Sequence, residues 1–132
     1  MLFRSKFDFL TQLQGKPAQI QPASNFPAVD KTSIYIVDVP NAAQTEFRIG
    51  NYTGLKYDAT GEYYRAGLMN YPLGGAFNSR INLNLREDKG WTYGARSAFQ
   101  GNKWAGPFVA AGGILGAATD SAVVEFMKEL NK

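Results

Sequence analysis

The sequence predicts an α+β domain: an antiparallel or mixed sheet with helices packed on one face, in the order ββααββα. Three observations predict it. Four short runs have strand character, at Ser33–Val39, Ala43–Gly50, Trp91–Gln100 and Phe108–Leu115. Between and after them the apolar spacing lengthens to a helical period, through Tyr64, Leu68 and Tyr71 and again through Val123, Phe126, Met127 and Leu130. Proline and glycine stand where the period changes, at Pro40, Pro72, Gly74, Gly75, Gly90 and Gly101.

Each element has its own local reason. Leu2, Phe3, Phe7, Phe9, Leu10 and Leu13 recur on a rough helical period and read as a short helix or the tail of one. Pro17, Pro22 and Pro27 make residues 15–31 an extended connector, so residues 1–31 precede a domain spanning residues 32–132. Ser33–Val39 is rich in β-branched residues and ends at Pro40; the second strand begins three residues later, a spacing that suits a hairpin. Asp58 or Thr60 can cap the first helix, which Pro72 should stop. Asn78 or Ser79 can cap a second helix running to Lys89, with Gly90 as its terminal glycine. Ile81, Leu83 and Leu85 also alternate with Asn82 and Asn84, so the residues alone leave helix and strand both open there. In the strand from Trp91, the residues Tyr93, Ala95, Ser97 and Phe99 share one face, and Thr92, Gly94, Arg96 and Ala98 the other. A turn containing Trp104 leads to the last strand, and Thr119 caps the final helix.

Composition narrows the chemistry. The chain has 132 residues, 45% hydrophobic and 14% aromatic, which suits one domain with its own core. It has neither cysteine nor histidine. That excludes disulfides, thiolate nucleophiles, imidazole bases and the nitrogen and sulfur ligands of zinc. Only carboxylates, Lys, Tyr, Arg and backbone amides remain. The net charge of +3 comes from scattered basic residues, no two adjacent, so no surface is built for nucleic acid. No apolar run approaches the ~20 residues of a membrane span, and the first ten residues are no signal peptide. A disulfide-free chain folds in either redox setting, which leaves the compartment undetermined. The glycines match no phosphate-binding loop.

One stretch is specific. Leu73-Gly74-Gly75-Ala76-Phe77-Asn78-Ser79-Arg80-Ile81, followed by Leu85-Arg86-Glu87-Asp88-Lys89-Gly90-Trp91-Thr92-Tyr93, resembles the pitrilysin/insulinase family of zinc metallopeptidases, which includes the mitochondrial processing peptidase. The family pattern is roughly L-G-G-x-x-x-S-R-L, then L-R-E-x-x-G-x-x-Y. Ile34–Pro40 and Gln44 resemble its first strand and the glutamine opening the next, so the likeness runs from about Ser33 to Leu130. Ala76, Asn78 and Trp91 depart from its commonest residues. The resemblance implies the clamp fold of that family and resolves residues 78–89 to helix. It implies the C-terminal-type, substrate-binding half, truncated relative to the family's longer domains.

The resemblance also carries implications for function. The family's H-x-x-E-H motif, two histidines and a glutamate on Zn²⁺ with a second glutamate as base, has no counterpart in a chain without histidine. No metal ligand, cofactor or self-sufficient catalytic residue is expected here; zinc belongs to a homologous partner domain or subunit. The residues that carry over are Arg86 and Tyr93, which in the family reach across the clamp and hydrogen-bond the peptide near the scissile bond. Taken without the motif, Tyr93 reads as a core-edge aromatic and Arg86 as a surface residue paired with an acid. Arg80 reads as holding the turn after Gly75, and Glu87 and Asp88 as solvated surface. The function implied is the non-zinc half of a metalloendopeptidase, with peptide substrate as a partner. The alternative is a catalytically inactive scaffold or interaction subunit. A truncated domain would expose sheet edge and apolar surface, so self-association is expected as well.

Overall fold

The computed structural model describes residues 7–12, 14–16, 18–20 and 29–132. Three strands, β1 (Gln44–Tyr52), β2 (Thr92–Phe99) and β3 (Pro107–Leu115), form an antiparallel sheet in the order β1-β3-β2. β1 runs against β3 from Gln44 opposite Leu115 to Tyr52 opposite Pro107. β2 runs along the other edge of β3, ending with Phe99 opposite Phe108. The helices are α1 (Glu62–Asn70), α2 (Arg80–Asn82) and α3 (Thr119–Asn131). The fold is α+β with helices against one sheet face, as predicted, in the order βααββα.

The missing strand is the main correction. Ser33–Val39 is extended but pairs with nothing among the described residues, and Ile34, Tyr35, Ile36 and Val37 are each more than 80% exposed. Composition makes a segment strand-prone; a ladder also needs a neighbour in register. The turn between this segment and β1 explains its isolation. The Ala42 amide donates to the Val39 carbonyl at 3.2 Å, with Pro40 and a left-handed Asn41 (φ 62°) at the corners. That is the residue pattern of a type II turn, whose twist splays its flanking strands instead of closing a hairpin. Of the N-terminal helix, only a 3₁₀ turn at Asp8–Gln12 is described, and it buries nothing; the remainder of that expectation, and residues 21–28 of the connector, lie outside the described residues.

α1 begins after an Asx turn. Asp58 Oδ1 accepts the amides of Thr60 and Gly61, both at 2.9 Å, and these bonds hold its carboxyl below the usual range. Gly61, and not Asp58 or Thr60, occupies the capping position itself. The face of Tyr64, Leu68 and Tyr71 is 51–63% exposed. A polar contact orients the helix instead. Buried Asn70 donates from Nδ2 to the Ser97 carbonyl at 2.7 Å, and Ser97 Oγ donates to Asn70 Oδ1 at 2.5 Å. Pro72 does not end the coil, because a wide π-helical stretch, Tyr71–Gly75, absorbs it. There Gly74 lies so near β2 that a Cβ would fall 2.2 Å from Ser97 Oγ and 2.5 Å from the Ser97 amide nitrogen.

Residues 80–88 are helical, which settles the ambiguous stretch. α2 continues as π-helical turns at Leu83–Asp88 and closes at Gly90, whose φ of +67° and bond to the Arg86 carbonyl at 3.1 Å fit a terminal glycine. Ile81 and Leu85 enter the core with Ala110, Ile114, Ala122 and Phe126. Neither predicted cap forms by side chain, and Ser79 Oγ is buried without a partner among the described residues. Thr119 is the first residue of α3 and not its cap; its hydroxyl donates to the Gly116 carbonyl at 2.8 Å and meets Thr45 Oγ1 at 2.8 Å, tying the helix start to β1.

Arg80 also acts elsewhere than predicted. It spans to α3, donating from Nε to Glu129 Oε2 at 3.0 Å and from Nη2 to the Glu129 carbonyl at 2.8 Å. Asn84 and Lys132 each donate to Glu129 Oε1 at 3.0 Å. Glu129 is only 4% exposed. Burial alone would push its carboxyl up, but the bonds from Asn84, Lys132 and Arg80 outweigh it and hold the group below its ordinary value.

The close approach at Gly74 and the cluster around Glu129 both have measurable consequences. Gly74→Ala should cost about 1–3 kcal/mol by overpacking against Ser97, whereas Gly67→Ala, with nothing within 4 Å of its added methyl, should be neutral or stabilising by about 0.5–1 kcal/mol; urea denaturation of both variants checks this. A carboxylate with a depressed folded-state pKa stabilises above its unfolded value and loses that contribution as pH falls through the folded value. Stability should therefore drop as pH falls below about 4.3, the ordinary glutamate value. Glu129→Gln should flatten that slope in denaturation midpoints measured against pH, leaving the part due to Asp58 and Glu125, which are also held low.

Candidate functional site

The site is organised by a β-bulge at the start of β2. Thr92 pairs with Ile114, and the next paired residue is Ala95, opposite Gly112, so Tyr93 and Gly94 together face one residue of β3. Thr92 is buried and stabilises the irregularity. Its hydroxyl donates to the Gly113 carbonyl at 2.8 Å, and the Gly94 amide donates to that same Oγ1 at 3.0 Å. Across the bulge, a Cβ on Gly112 would sit 3.2 Å from both Ala95 Cβ and the Gly94 carbonyl, so the partner strand must be bare there.

The bulge breaks the predicted alternation. Ala95 and Ser97 keep the core face, but Tyr93 leaves it and is 90% exposed. The core-edge reading of Tyr93 is thereby overturned: the ring packs into no core, and its hydroxyl has no hydrogen-bond partner among the described residues.

Tyr93 lines a groove of about 410 Å³. Gly74 to Phe77 form one wall, and Gly94 to Arg96 with Ala111 to Gly113 form a nearly bare floor that reaches Glu46 of β1. Phe77 is 70% exposed in this wall, and the Arg86 guanidinium lies over its ring, 4.5 Å from the centroid. Arg86 thus reaches the groove through Phe77 without lining it. It also forms an ion pair with Glu87, so the acid-paired arrangement exists alongside the stacking. Glu87 and Asp88 are exposed and pair with their neighbours Arg86 and Lys89; they form no catalytic couple.

Sequence reasoning missed Asn82. Its amide is buried between the wall and the bulged strand, donating from Nδ2 to the Phe77 carbonyl at 2.6 Å and accepting the Ala95 amide on Oδ1 at 3.0 Å. It fixes the wall against the residue after the bulge. A polar residue between Ile81 and Leu83 was the available signal, but in a strand-like alternation it reads as solvent-facing. A shallow hollow beside the 3₁₀ turn is lined by Thr11, Gln14, Gly15 and Lys16 and offers no comparable convergence of groups.

No residue set fits a zinc centre. The sequence holds no His or Cys, and among the described residues no three side chains of His, Cys, Asp or Glu are grouped to hold an ion. No helix among them is long and apolar enough to cross a membrane.

The sequence profile of the family described as peptidase M16 inactive domain matches residues 5–132. Among solved structures, the chain is similar to a peptidase M16 inactive domain from Pseudomonas fluorescens, with 25% identity and a TM-score of 0.62 over 68% of this chain and 22% of that one. It is also similar in fold to a conserved protein from Enterococcus faecalis V583, with 23% identity and a TM-score of 0.56 over 68% of this chain and 20% of the other. The chain therefore spans about a fifth of the length of these structures. No curated protein matches its sequence.

Asn82→Ala removes an acceptor from the buried Ala95 amide and a donor from the Phe77 carbonyl, at an expected cost of about 1–3 kcal/mol. The local signature is faster hydrogen exchange at the Ala95 amide, measured by NMR, with the Glu129 cluster on α3 unaffected.

Proposed function

The chain belongs to the peptidase M16 inactive-domain family, and we propose that it is the substrate-contacting, non-zinc half of a metalloendopeptidase, in which Tyr93 and Arg86 meet the peptide while a homologous domain or subunit supplies zinc. The observation that carries this reading is the bulge that holds Tyr93 out of the core at the mouth of a bare groove. A tyrosine needed only for packing has no reason to be 90% exposed beside the Gly112-Gly113 pair of β3.

The chemistry suits the pair. Hydrolysis of an amide places negative charge on the carbonyl oxygen, and a phenol is a neutral donor that can meet that charge without prior ionisation. Arg86 carries a permanent charge and a planar fork of donors, suited to a peptide carbonyl. The Phe77 ring holds the guanidinium in place near the groove. Zinc held by the homologous domain or subunit would supply the bond cleavage, and this chain contributes binding and orientation.

The inactive-scaffold reading draws on one observation: Arg86 is already engaged by Glu87 and Phe77. The two readings part at a single hydroxyl. In the assembled peptidase, Tyr93→Phe should lower kcat by ~100-fold or more if the phenol donates to the developing oxyanion, with the denaturation midpoint unchanged because the ring is exposed. Arg86→Lys should raise KM and lower kcat together by losing the fork. Wild-type kinetics in both variants would leave the scaffold.

A further inference from the structure

The groove holds two charged side chains, Glu46 and Arg96. Arg96 lies on β2 just past the bulge, where the ladder is regular again and Arg96 faces Ala111 of β3. Its neighbours Ala95 and Ser97 are buried toward the helices, so Arg96 stands on the opposite sheet face, exposed, and lines the groove. Among the described residues it has no hydrogen-bond or ion-pair partner. The groove's acid, Glu46, differs in this respect, since Arg48 lies 3.2 Å from it. The groove is therefore electrostatically unbalanced toward positive charge at one point.

We propose that Arg96 forms a subsite for an acidic side chain of the bound peptide, and so sets a preference of this domain for glutamate or aspartate at one position; the proposal rests on the reading of the groove as a peptide site. The floor of Ala111, Gly112 and Gly113 lets an extended backbone approach closely, leaving Arg96 as the group that distinguishes one peptide from another. Three residues of strand separate Arg96 from Tyr93, or about 10 Å at ~3.3 Å per residue, less what the bulge takes up. An extended peptide advances at the same rate. The carboxylate therefore belongs two to four residues from the carbonyl that Tyr93 contacts. An exposed pair of this kind changes affinity up to roughly fivefold, and replacing attraction by repulsion about doubles the contrast on a logarithmic scale.

The test is an amide-shift titration of the ¹⁵N-labelled chain with nonapeptides that differ only in one residue, Glu, Gln or Lys, moved along the sequence. The expected result is saturating shifts at Gly94, Ala95 and Gly113, with Glu binding about three- to fivefold tighter than Gln and roughly ten- to twenty-five-fold tighter than Lys at one position, the contrast shrinking in 0.5 M salt. Arg96→Glu, at an exposed site outside the core, should reverse the order of Glu and Lys. If no peptide shifts these amides, the peptide-site reading falls and the subsite with it. If peptides bind there without a charge preference, or the preference survives Arg96→Glu, the subsite alone is overturned.

Discussion

The approach of the Gly74 backbone to Ser97, into space that a single methyl group would fill, fixes how the helical layer sits on the sheet. Asn70 reaches the same serine with two hydrogen bonds, so one short segment of β2 receives both the end of α1 and the π-helical stretch after it. Everything downstream inherits that placement. The wall from Ala76 to Phe77 emerges beside the bulge, Asn82 can bridge from that wall to Ala95, and α2 starts where Arg80 reaches Glu129. A larger residue at position 74 would shift the wall and the groove with it.

The polar contacts divide the labour between holding the fold and shaping the groove. Arg80 and Asn84 gather α3 around a buried carboxylate, far from any ligand role. Asn82, between them in sequence, faces the other way and serves the groove wall. Residues two apart on a helix lie roughly 200° apart around its axis, so Asn82 is carried to the side opposite Arg80 and Asn84.

Much of this was legible from residue pattern. The strands at β1, β2 and β3 and the final helix follow from local periodicity, and Gly90 terminates its helix for the conformational reason its position suggests. The Leu-Gly-Gly and Leu-Arg-Glu stretches led to the family to which the chain belongs. The expectations that failed depended on partners. Ser33–Val39 has strand composition but no ladder among the described residues, and the helix after Gly61 is capped by neither Asp58 nor Thr60. The exposure of Tyr93 was illegible for another reason. A bulge is a count of two residues against one, visible only when both strands are aligned. Arg96 was passed over because a lone arginine on a strand carries no signal until the acids around it are seen to be occupied elsewhere.

The bulge also separates two kinds of inheritance. Residues that hold β2 in the sheet, Thr92, Ala95 and Ser97, are buried, so replacing them threatens the whole domain. Tyr93 sits between them in the chain yet outside their packing, so its replacement leaves the core intact. A descendant of this sequence could exchange position 93 freely while natural selection still preserved everything around it. One substitution at position 93 would change the surface that the groove presents, and a stable, folded domain would remain.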